Sequence, residues 1–179
     1  MKLETPRLIL REFVAADAPV MAAYWHDPRY RRFYPDYDDS DAFVHDLVAT
    51  FITAQADDPR HRFQLAVTLR DDGRFIGNCG IRINNPELCE ANIGYEINPA
   101  CWSQGLATEA ATAILDFGFD ELQMRRVWAE CVADNIASAR VLSKLGMRQE
   151  ARFVDHQWFR GRWWDTLIFA ILDHERRDS

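Results

Sequence analysis

The sequence predicts a mixed α/β (α+β) fold in which about four helices flank one mostly antiparallel sheet of about seven strands. Several segments alternate apolar and polar residues with a period of two, which is typical of half-buried strands. Other segments repeat apolar residues every three or four positions, which is typical of amphipathic helices. The strand–helix–strand order from Asn92 to Val132 requires a crossover and predicts one parallel pair. The 179 residues contain no repeat or linker, so we expect one domain spanning 1–179.

The N-terminal third predicts one strand and two helices. Residues 8–13 form the strand, and the segment Ala18 to Tyr24 forms a short helix. Asp27-Pro28 ends this helix, because the residue before a proline is excluded from helical geometry. Asp39-Ser40-Asp41 supplies N-cap side chains for the second helix. We expect the apolar stripe of that helix to consist of Phe43, Leu47 and Phe51.

The middle of the chain predicts three strands. Apolar residues alternate over 63–69, Asp71-Asp72-Gly73 is a tight-turn signal, and the pattern resumes over 75–83, which predicts a hairpin. A further alternating segment, 92–97, forms the fourth strand. Pro99 ends it, since proline cannot donate to a strand ladder.

The C-terminal half predicts two helices and three strands. A third helix extends from Gly105 to about Glu121, and Arg126 to Val132 forms the fifth strand. Asp134-Asn135 caps a fourth helix, and Gly146 is suited to the position after its end. The segment Met147 to Leu172 predicts two more strands.

Composition narrows the function classes. The net charge of −7 argues against nucleic-acid binding, which needs a basic surface, and is compatible with a cationic partner such as an amine. The four cysteines are scattered, which predicts neither a metal site nor a disulfide framework. The N-terminus lacks a signal peptide, and no segment is apolar enough to cross a membrane. We therefore expect a soluble cytoplasmic protein.

The segment Asn92 to Ala110 combines a strand, a proline-stopped loop and a helix whose first turn is Gly-Leu-Ala-Thr. The first N–H groups of a helix lack internal partners and carry the positive end of its dipole, so small residues there allow a pyrophosphate to approach. A glycine at a helix start is more often a plain turn. Neither a P-loop nor a GxGxxG pattern is present.

Four stretches, in order along the chain, resemble the GCN5-related N-acetyltransferase (GNAT) superfamily, in particular its RimJ/RimL-like ribosomal-protein N-acetyltransferase branch. They are Leu3 to Phe13, Ile93 to Ile97, Trp102 to Ala110 and Asp134 to Met147. The resemblance implies a GNAT fold with a V-shaped gap between the fourth and fifth strands. It also implies acetyl-CoA as cosubstrate and direct acetyl transfer, in a ternary complex, to a protein N-terminus or a small amine. A homodimer is compatible with the resemblance.

The resemblance implies two sets of cofactor contacts. The pantetheine arm would pair with the backbone of Glu96, Ile97 and Asn98, as an added strand would. Asn135 would bind the same arm, cap its helix, or do both. Two residues depart from the usual loop: Trp102 replaces a Gln or Arg, and Ser103 replaces the commoner glycine. The pyrophosphate would bind the N–H groups of Ser103, Gln104, Gly105, Leu106, Ala107 and Thr108.

The catalytic groups are less fully specified. In the RimL-like branch a serine protonates the departing thiolate, and Ser138 matches that serine; the alternative is a solvent-facing first-turn serine. Leu142 stands where many family members have a tyrosine acid, and Gln157 stands where the branch can place a glutamate. The backbone N–H near Ile97 is the expected oxyanion donor. A water relay would need no base, and the candidate bases are Glu96, Glu130, Asp155 and His156.

Acceptor specificity is expected in the first two helices and the loop near Arg160. Aromatic side chains there either line the acceptor site or belong to the core: Trp25, Tyr30, Phe33, Tyr34, Tyr37, Trp158 and Trp163. Two other functions remain open at this stage. One is a catalytically silent acyl-CoA-binding module, favoured by Leu142 and Gln157. The other is an unrelated nucleotide-binding domain that uses the helix start at Gly105.

Overall fold

The computed structural model describes residues 1–35 and 40–177, which form one eight-stranded sheet with helices on both faces. The strands are β1 (Lys2–Glu4), β2 (Leu8–Glu12), β3 (Arg62–Leu69), β4 (Phe75–Asn85), β5 (Glu90–Ile97), β6 (Arg126–Val132), β7 (Arg148–Phe159) and β8 (Arg162–Leu172). The helices are α1 (Asp17–Trp25), α2 (Pro28–Arg31), α3 (Asp41–Thr53), α4 (Leu106–Asp120), α5 (Ile136–Lys144) and α6 (Asp173–Arg177). Two short 3-10 turns cover Ala54–Ala56 and Pro99–Cys101.

The strand order is β1-β2-β3-β4-β5-β6-β8-β7, and every neighbouring pair is antiparallel except β5–β6. The predicted mixed, mostly antiparallel sheet is confirmed, with one strand more than the seven expected. The additional strand is the three-residue β1, which pairs with β2. The predicted fourth and fifth strands are therefore β5 and β6.

The four predicted helices are present as α1, α3, α4 and α5, and two short helices were not predicted. Asp27-Pro28 ends α1 as expected, but the same dipeptide also begins α2. The Asp27 carboxylate accepts a hydrogen bond from Arg29 N, and Pro28 occupies the first helical position, which suits its fixed φ. The stripe predicted for α3 is rotated, because Val44 and Val48 are its most buried residues. Asp39, predicted as part of its cap, lies outside the described residues, and Ser40 caps Phe43 N.

The sheet splits between β5 and β6. Their parallel pairing covers only Glu90–Arg126, Ala91–Val127 and Asn92–Trp128, after which the strands diverge. On its other side β5 stays paired with β4 as far as Ile97. The expected V-shaped gap is therefore present, and residues 93–97 of β5 form an edge inside the sheet.

Each face of the sheet has its own apolar core. Helix α4 packs over the first core, in which Ile81, Ile93, Ile114 and Val127 are buried. Helices α1 and α3 pack over the second core, which is rich in aromatic residues. Among the described residues, no helix is long and apolar enough to span a bilayer. The first core includes buried residues of both β5 and β6, so it supports the two strands that border the gap.

Candidate active site

A cavity of about 310 Å³ occupies the gap between the diverging ends of β5 and β6. Residues from β4, β5, β6 and α5 and the segment 33–35 line it. Its polar lining includes Asn78, Arg82, Glu96, Glu130, Ser138 and Gln157. Side chains from both faces of the sheet therefore meet in one space.

Main-chain groups of β5 face this gap. Asn98 N donates to Ile76 O at 2.7 Å, and Gly77 lies opposite Ile97 in the register. In an antiparallel ladder, hydrogen-bonded residue pairs alternate with pairs that lack hydrogen bonds. Because Asn98 and Ile76 are hydrogen-bonded, the next pair, Gly77 and Ile97, is not, and the Ile97 N–H points away from β4. The same alternation turns the N–H and C=O of Tyr95 toward the gap. The expected oxyanion donor, the Ile97 N–H, thus faces the cavity.

The neighbouring groups differ from the expected pantetheine contacts in orientation. By the same alternation the backbone of Glu96 is directed at β4, and Asn98 N is already bonded there. The Ile97 carbonyl accepts a hydrogen bond from Trp102 Nε1 at 2.6 Å. The Trp102 indole, which replaces the family's Gln or Arg, therefore connects the loop before α4 to the end of β5 by a hydrogen bond.

The loop before α4 has the geometry of an anion cradle. Gly105 has φ +77° and Ser103 has φ +61°, both in the left-handed region. The first intrahelical bond of α4 joins Glu109 N to Gly105 O at 3.0 Å, so the N–H groups before it lack helical partners. Within residues 1–35 and 40–177, no side chain caps this helix start. Uncapped N–H groups at a helix start suit a pyrophosphate.

A polar clamp, formed by Thr5, Arg7 and Glu109, holds this loop against the N-terminal strands. The Thr5 hydroxyl and Arg7 Nε each donate to the Glu109 carboxylate at 2.6 Å, and Arg7 Nη1 donates to Gln104 O at 2.9 Å. Burial raises the pKa of Glu109, but the hydrogen bonds from Thr5 and Arg7 outweigh it and the pKa is lowered. Sequence reasoning missed the clamp, although its members lie within two of the matched stretches.

Ser138 is joined to β5 by a tyrosine that sequence reasoning also missed. Tyr95 Oη lies 2.9 Å from Ser138 Oγ and 3.0 Å from Ser138 O. Asn135 Oδ1 accepts from Ser138 N at 3.1 Å, so the predicted N-cap is confirmed. Burial raises the pKa of Tyr95, which keeps its hydroxyl protonated. A tyrosine between Ile93 and Ile97 was a signal, because a buried hydroxyl needs a partner.

Cys131 is the cysteine that lines the cavity. Burial raises the pKa of its thiol to about 11, although a hydrogen bond with Ser138 acts in the opposite direction. Nucleophilic cysteines depend on a lowered pKa, because the thiolate is the reactive form. Cys131 is therefore a neutral thiol at physiological pH.

The Glu96 carboxylate is held by three donors. Tyr30 Oη donates at 2.7 Å, Tyr34 Oη at 2.8 Å and Asn78 Nδ2 at 2.9 Å. Burial, followed by the charge of Glu96, raises the pKa of both tyrosines well above the usual value, so they remain donors. Three donors therefore hold this carboxylate in one orientation at the cavity.

Of the other candidate bases, one lines the cavity and two do not. Glu130 lines the mouth of the cavity, as does Gln157, whose Nε2 donates to Thr166 Oγ1 at 3.0 Å. Asp155 and His156 lie on β7 and do not line the cavity. Asp155 N bonds Asp165, and His156 Nδ1 lies 2.9 Å from Thr166 Oγ1.

The aromatic residues predicted for the acceptor site lie in different parts of the structure. Phe33 and Tyr34 line the cavity, and Tyr30 reaches it through Glu96. Trp25 is only 4% exposed and belongs to the core under α1 and α3. Tyr37 lies outside the described residues. Two others lie away from the cavity on the β7–β8 hairpin, 60% and 52% exposed with their rings 5.4 Å apart: Trp158 and Trp163.

Comparisons with known proteins agree with this geometry. A family profile described as an acetyltransferase (GNAT) domain matches residues 7–148. The N-acetyltransferase YnaD of Bacillus subtilis (strain 168) is 33% identical over 98% of this chain and 99% of its own. A GNAT-family acetyltransferase from Bacillus anthracis has a crystal structure with a TM-score of 0.85 and 26% identity, covering 97% of this chain and 99% of that one.

A further structure shares the fold at lower identity. RimL, a ribosomal α-N-protein acetyltransferase solved in complex with coenzyme A, has a TM-score of 0.84 and 16% identity over 97% of this chain and 99% of its own. The predicted fold and family are confirmed. By its family match, its relatives and its split sheet, this chain belongs to the GNAT superfamily of acetyltransferases and is an acyltransferase that takes its acetyl group from acetyl-CoA.

Proposed function

We propose that this acetyltransferase transfers the acetyl group directly to a primary amine, on a small molecule or a protein N-terminus, that enters from the side of Glu96. One observation carries the proposal. A single cavity connects the β5 edge and Ser138 on the cofactor side with Glu96 and its tyrosines on the other side. Both substrates therefore have access to the same point of the gap.

The cofactor half is assigned to main-chain groups. We assign the pyrophosphate to the N–H groups of residues 103–108 and the pantetheine arm to the β5 edge at Tyr95 and Ile97. Asn135 keeps its amide nitrogen for the arm while its Oδ1 caps α5. The thioester of acetyl-CoA supplies an activated acetyl group.

The chain's own groups meet the three demands of the reaction. The Ile97 N–H stabilises the developing negative charge on the thioester oxygen. Ser138 donates a proton to the departing thiolate, and Tyr95 orients its hydroxyl. Glu96 attracts the amine and accepts its proton directly or through a water. Because Cys131 is a neutral thiol, direct transfer is favoured over an acetyl-cysteine route.

Binding is tested first by thermal stabilisation with acetyl-CoA, CoA, ATP and NAD. A ligand at about 100 times its dissociation constant adds about 2.7 kcal/mol to the free energy of unfolding. We expect stabilisation by the two CoA species alone. No shift with CoA would remove the assignment of the α4 loop.

Turnover is tested by release of free CoA thiol with a panel of primary amines. Replacing the acid, Ser138→Ala, should lower kcat by about a hundredfold, the lower range for general acid catalysis. Ser143→Ala is the matched control, since the hydroxyl of this exposed serine of α5 bonds only Ala139 O among the described residues. Equal kcat values for the two variants would refute the acid assignment. Tight acetyl-CoA binding without turnover of any amine would favour a silent acyl-CoA-binding module.

A further inference from the structure

Arg82 brings a positive charge into the acceptor side of the cavity. It lies on β4, lines the same space as Glu96, and donates through Nη2 to Gln64 Oε1 at 2.9 Å. Within the part of the chain that the structure describes, Arg82 forms no ion pair. A half-buried guanidinium that lacks a carboxylate partner has lost water without recovering a charged contact. Its remaining donors are available to a ligand.

The guanidinium is held in place by two buried amides. Gln64 and Asn78 are each 3% exposed, and Gln64 Nε2 donates to Asn78 Oδ1 at 2.6 Å. Asn78 in turn donates to Glu96. A continuous chain of hydrogen bonds therefore connects the Arg82 guanidinium to the Glu96 carboxylate across one wall of the cavity, which we call the cavity floor.

Two glycines make room for the polar side chains of the cavity floor. Gly80 and Gly94 lie opposite each other on β4 and β5, between the positions of the two charges. A Cβ at Gly94 would lie 3.4 Å from Arg82 Nη1, an ordinary contact distance, so the guanidinium lies directly over Gly94. A Cβ at Gly80 would instead collide with Gln64 Oε1, at 2.5 Å. The two missing side chains therefore make room for Arg82 and Gln64, and the cavity beside them is the space for a ligand between Glu96 and Arg82.

We propose that Arg82 binds a carboxylate of the acceptor, so that the acceptor is a linear amino acid whose amine and carboxylate are several bonds apart. The inference rests on the proposed function. Guanidinium binds carboxylate through two parallel hydrogen bonds, which a neutral amine cannot make. Its charge also repels the second ammonium of a diamine. Glu96 and Arg82 thus select an amine at one end and an anion at the other.

The strand register sets the spacing. Asn78 lies opposite Glu96 and Arg82 lies opposite Asn92, four residues away on β5. At 3.3 Å per residue the two backbone positions are about 13 Å apart, but the guanidinium reaches back over Gly94, which is two residues, or about 7 Å, from Glu96 along the strand. This spacing favours an ω-amino acid over an α-amino acid.

The test uses matched acceptors that differ only in the carboxylate. The ω-amino acids β-alanine, 4-aminobutyrate, 5-aminopentanoate and 6-aminohexanoate are compared with ethylamine, propylamine, butylamine and pentylamine. We expect kcat/KM to favour the longer amino acids over their amines by about tenfold to a hundredfold, the range of a charged hydrogen bond. Arg82→Gln should abolish the preference, so kcat/KM for the amino acids should fall by at least tenfold more than kcat/KM for the alkylamines.

The control is Arg62→Gln, because exposed Arg62 lies opposite Arg82 on β3 and does not line the cavity. It should keep the preference. Hexanoate, which has no amine, should compete with pentylamine in the wild type and not in Arg82→Gln. An unchanged thermal shift with acetyl-CoA shows that each variant is folded.

Two outcomes separate the inference from the proposed function. Turnover of alkylamines at the rate of the amino acids, or equal losses for both in Arg82→Gln, would overturn the carboxylate site and leave the acetyltransferase assignment standing. Acetyl-CoA binding without turnover of any acceptor would overturn both.

Discussion

The two sides of the split sheet are built from different parts of the chain. On the side that we assign to the cofactor, most of the assigned groups are main-chain ones, at the α4 start around Gly105 and the β5 edge near Ile97. On the acceptor side they are side chains, with Glu96 held by Tyr30, Tyr34 and Asn78. The first side therefore depends mainly on backbone conformation, with Ser138 and Asn135 as its side-chain contributors, whereas the second depends on the identity of individual side chains.

The largest expected effect comes from Glu96→Ala. It leaves two tyrosine hydroxyls and the Asn78 amide without their acceptor, at about 1 kcal/mol or more each. We expect the free energy of unfolding to fall by about 3 kcal/mol and Tm by about 6 °C or more. The dissociation constant of acetyl-CoA should stay within about twofold, because the α4 loop is unchanged.

Glu130→Ala is the control for stability, since Glu130 lines the same cavity but is exposed. It should leave Tm nearly unchanged. Calorimetry gives Tm, and titration calorimetry gives the dissociation constant. A loss of acetyl-CoA affinity as large as the loss of stability would break the division between the two sides.

A smaller effect is expected from Gly105→Ala. The backbone at φ +77° disfavours any side chain, and the new Cβ would lie 3.5 Å from Arg7 Nη2. A left-handed residue costs about 1–2 kcal/mol, and a strained or shifted loop should weaken acetyl-CoA binding about tenfold.

Gly73→Ala is a matched control. Gly73 has φ +71° with nothing within 4 Å of the added Cβ, and it lies in the β3–β4 turn. Both variants should lose similar stability, and only Gly105→Ala should lose affinity. Similar affinities for both would show that the loop does not depend on its backbone.

The smallest expected effect is a gain in stability, from Ser103→Gly. Ser103 sits at φ +61°, which explains why glycine is the commoner residue at this position. Ser103→Gly should raise the free energy of unfolding by a few tenths of a kcal/mol, because relief of strain is partly offset by glycine's entropy. Ser143→Gly, in the last turn of α5, should instead lower it by about a few tenths of a kcal/mol, because glycine disfavours a helix more than serine does. Chemical denaturation measures both, and a loss for Ser103→Gly would contradict the strain argument.

The backbone-built side was the more predictable from sequence. Turns and helix starts impose local rules, so Gly105, Pro99 and the strand–helix–strand order pointed to the loop and the parallel pair, while the gap was implied by the family resemblance. The pairs that define the other side join distant residues. Tyr30 and Tyr34 lie 66 and 62 residues from Glu96, and Tyr95 lies 43 residues from Ser138. Such contacts depend on strand register and helix tilt, which no local pattern specifies.

The short elements β1 and α2 could not be predicted from apolar periodicity either. Three residues of β1 are too few to show an alternation, and α2 is one turn long, too short for a helical period. Arg82 had no sequence signal as a binding residue, because an arginine on an alternating strand is most often solvated. Its value follows only from the cavity and from the glycine pair beside it.

The three-residue pairing of β5 with β6 has a consequence for aggregation. Exposed strand edges recruit strands from other chains, and residues 93–97 are such an edge. Here the edge begins at a closed vertex, Asn92–Trp128, and β6 faces it across the gap. A strand inserted between β5 and β6 would need about 4.8 Å of separation from each of them along its whole length. The gap is too narrow for this near Asn92–Trp128, where β5 and β6 are paired directly. The unpaired edge of β5 is therefore accessible to a narrow, extended ligand but not to a β-strand of a second copy of the chain.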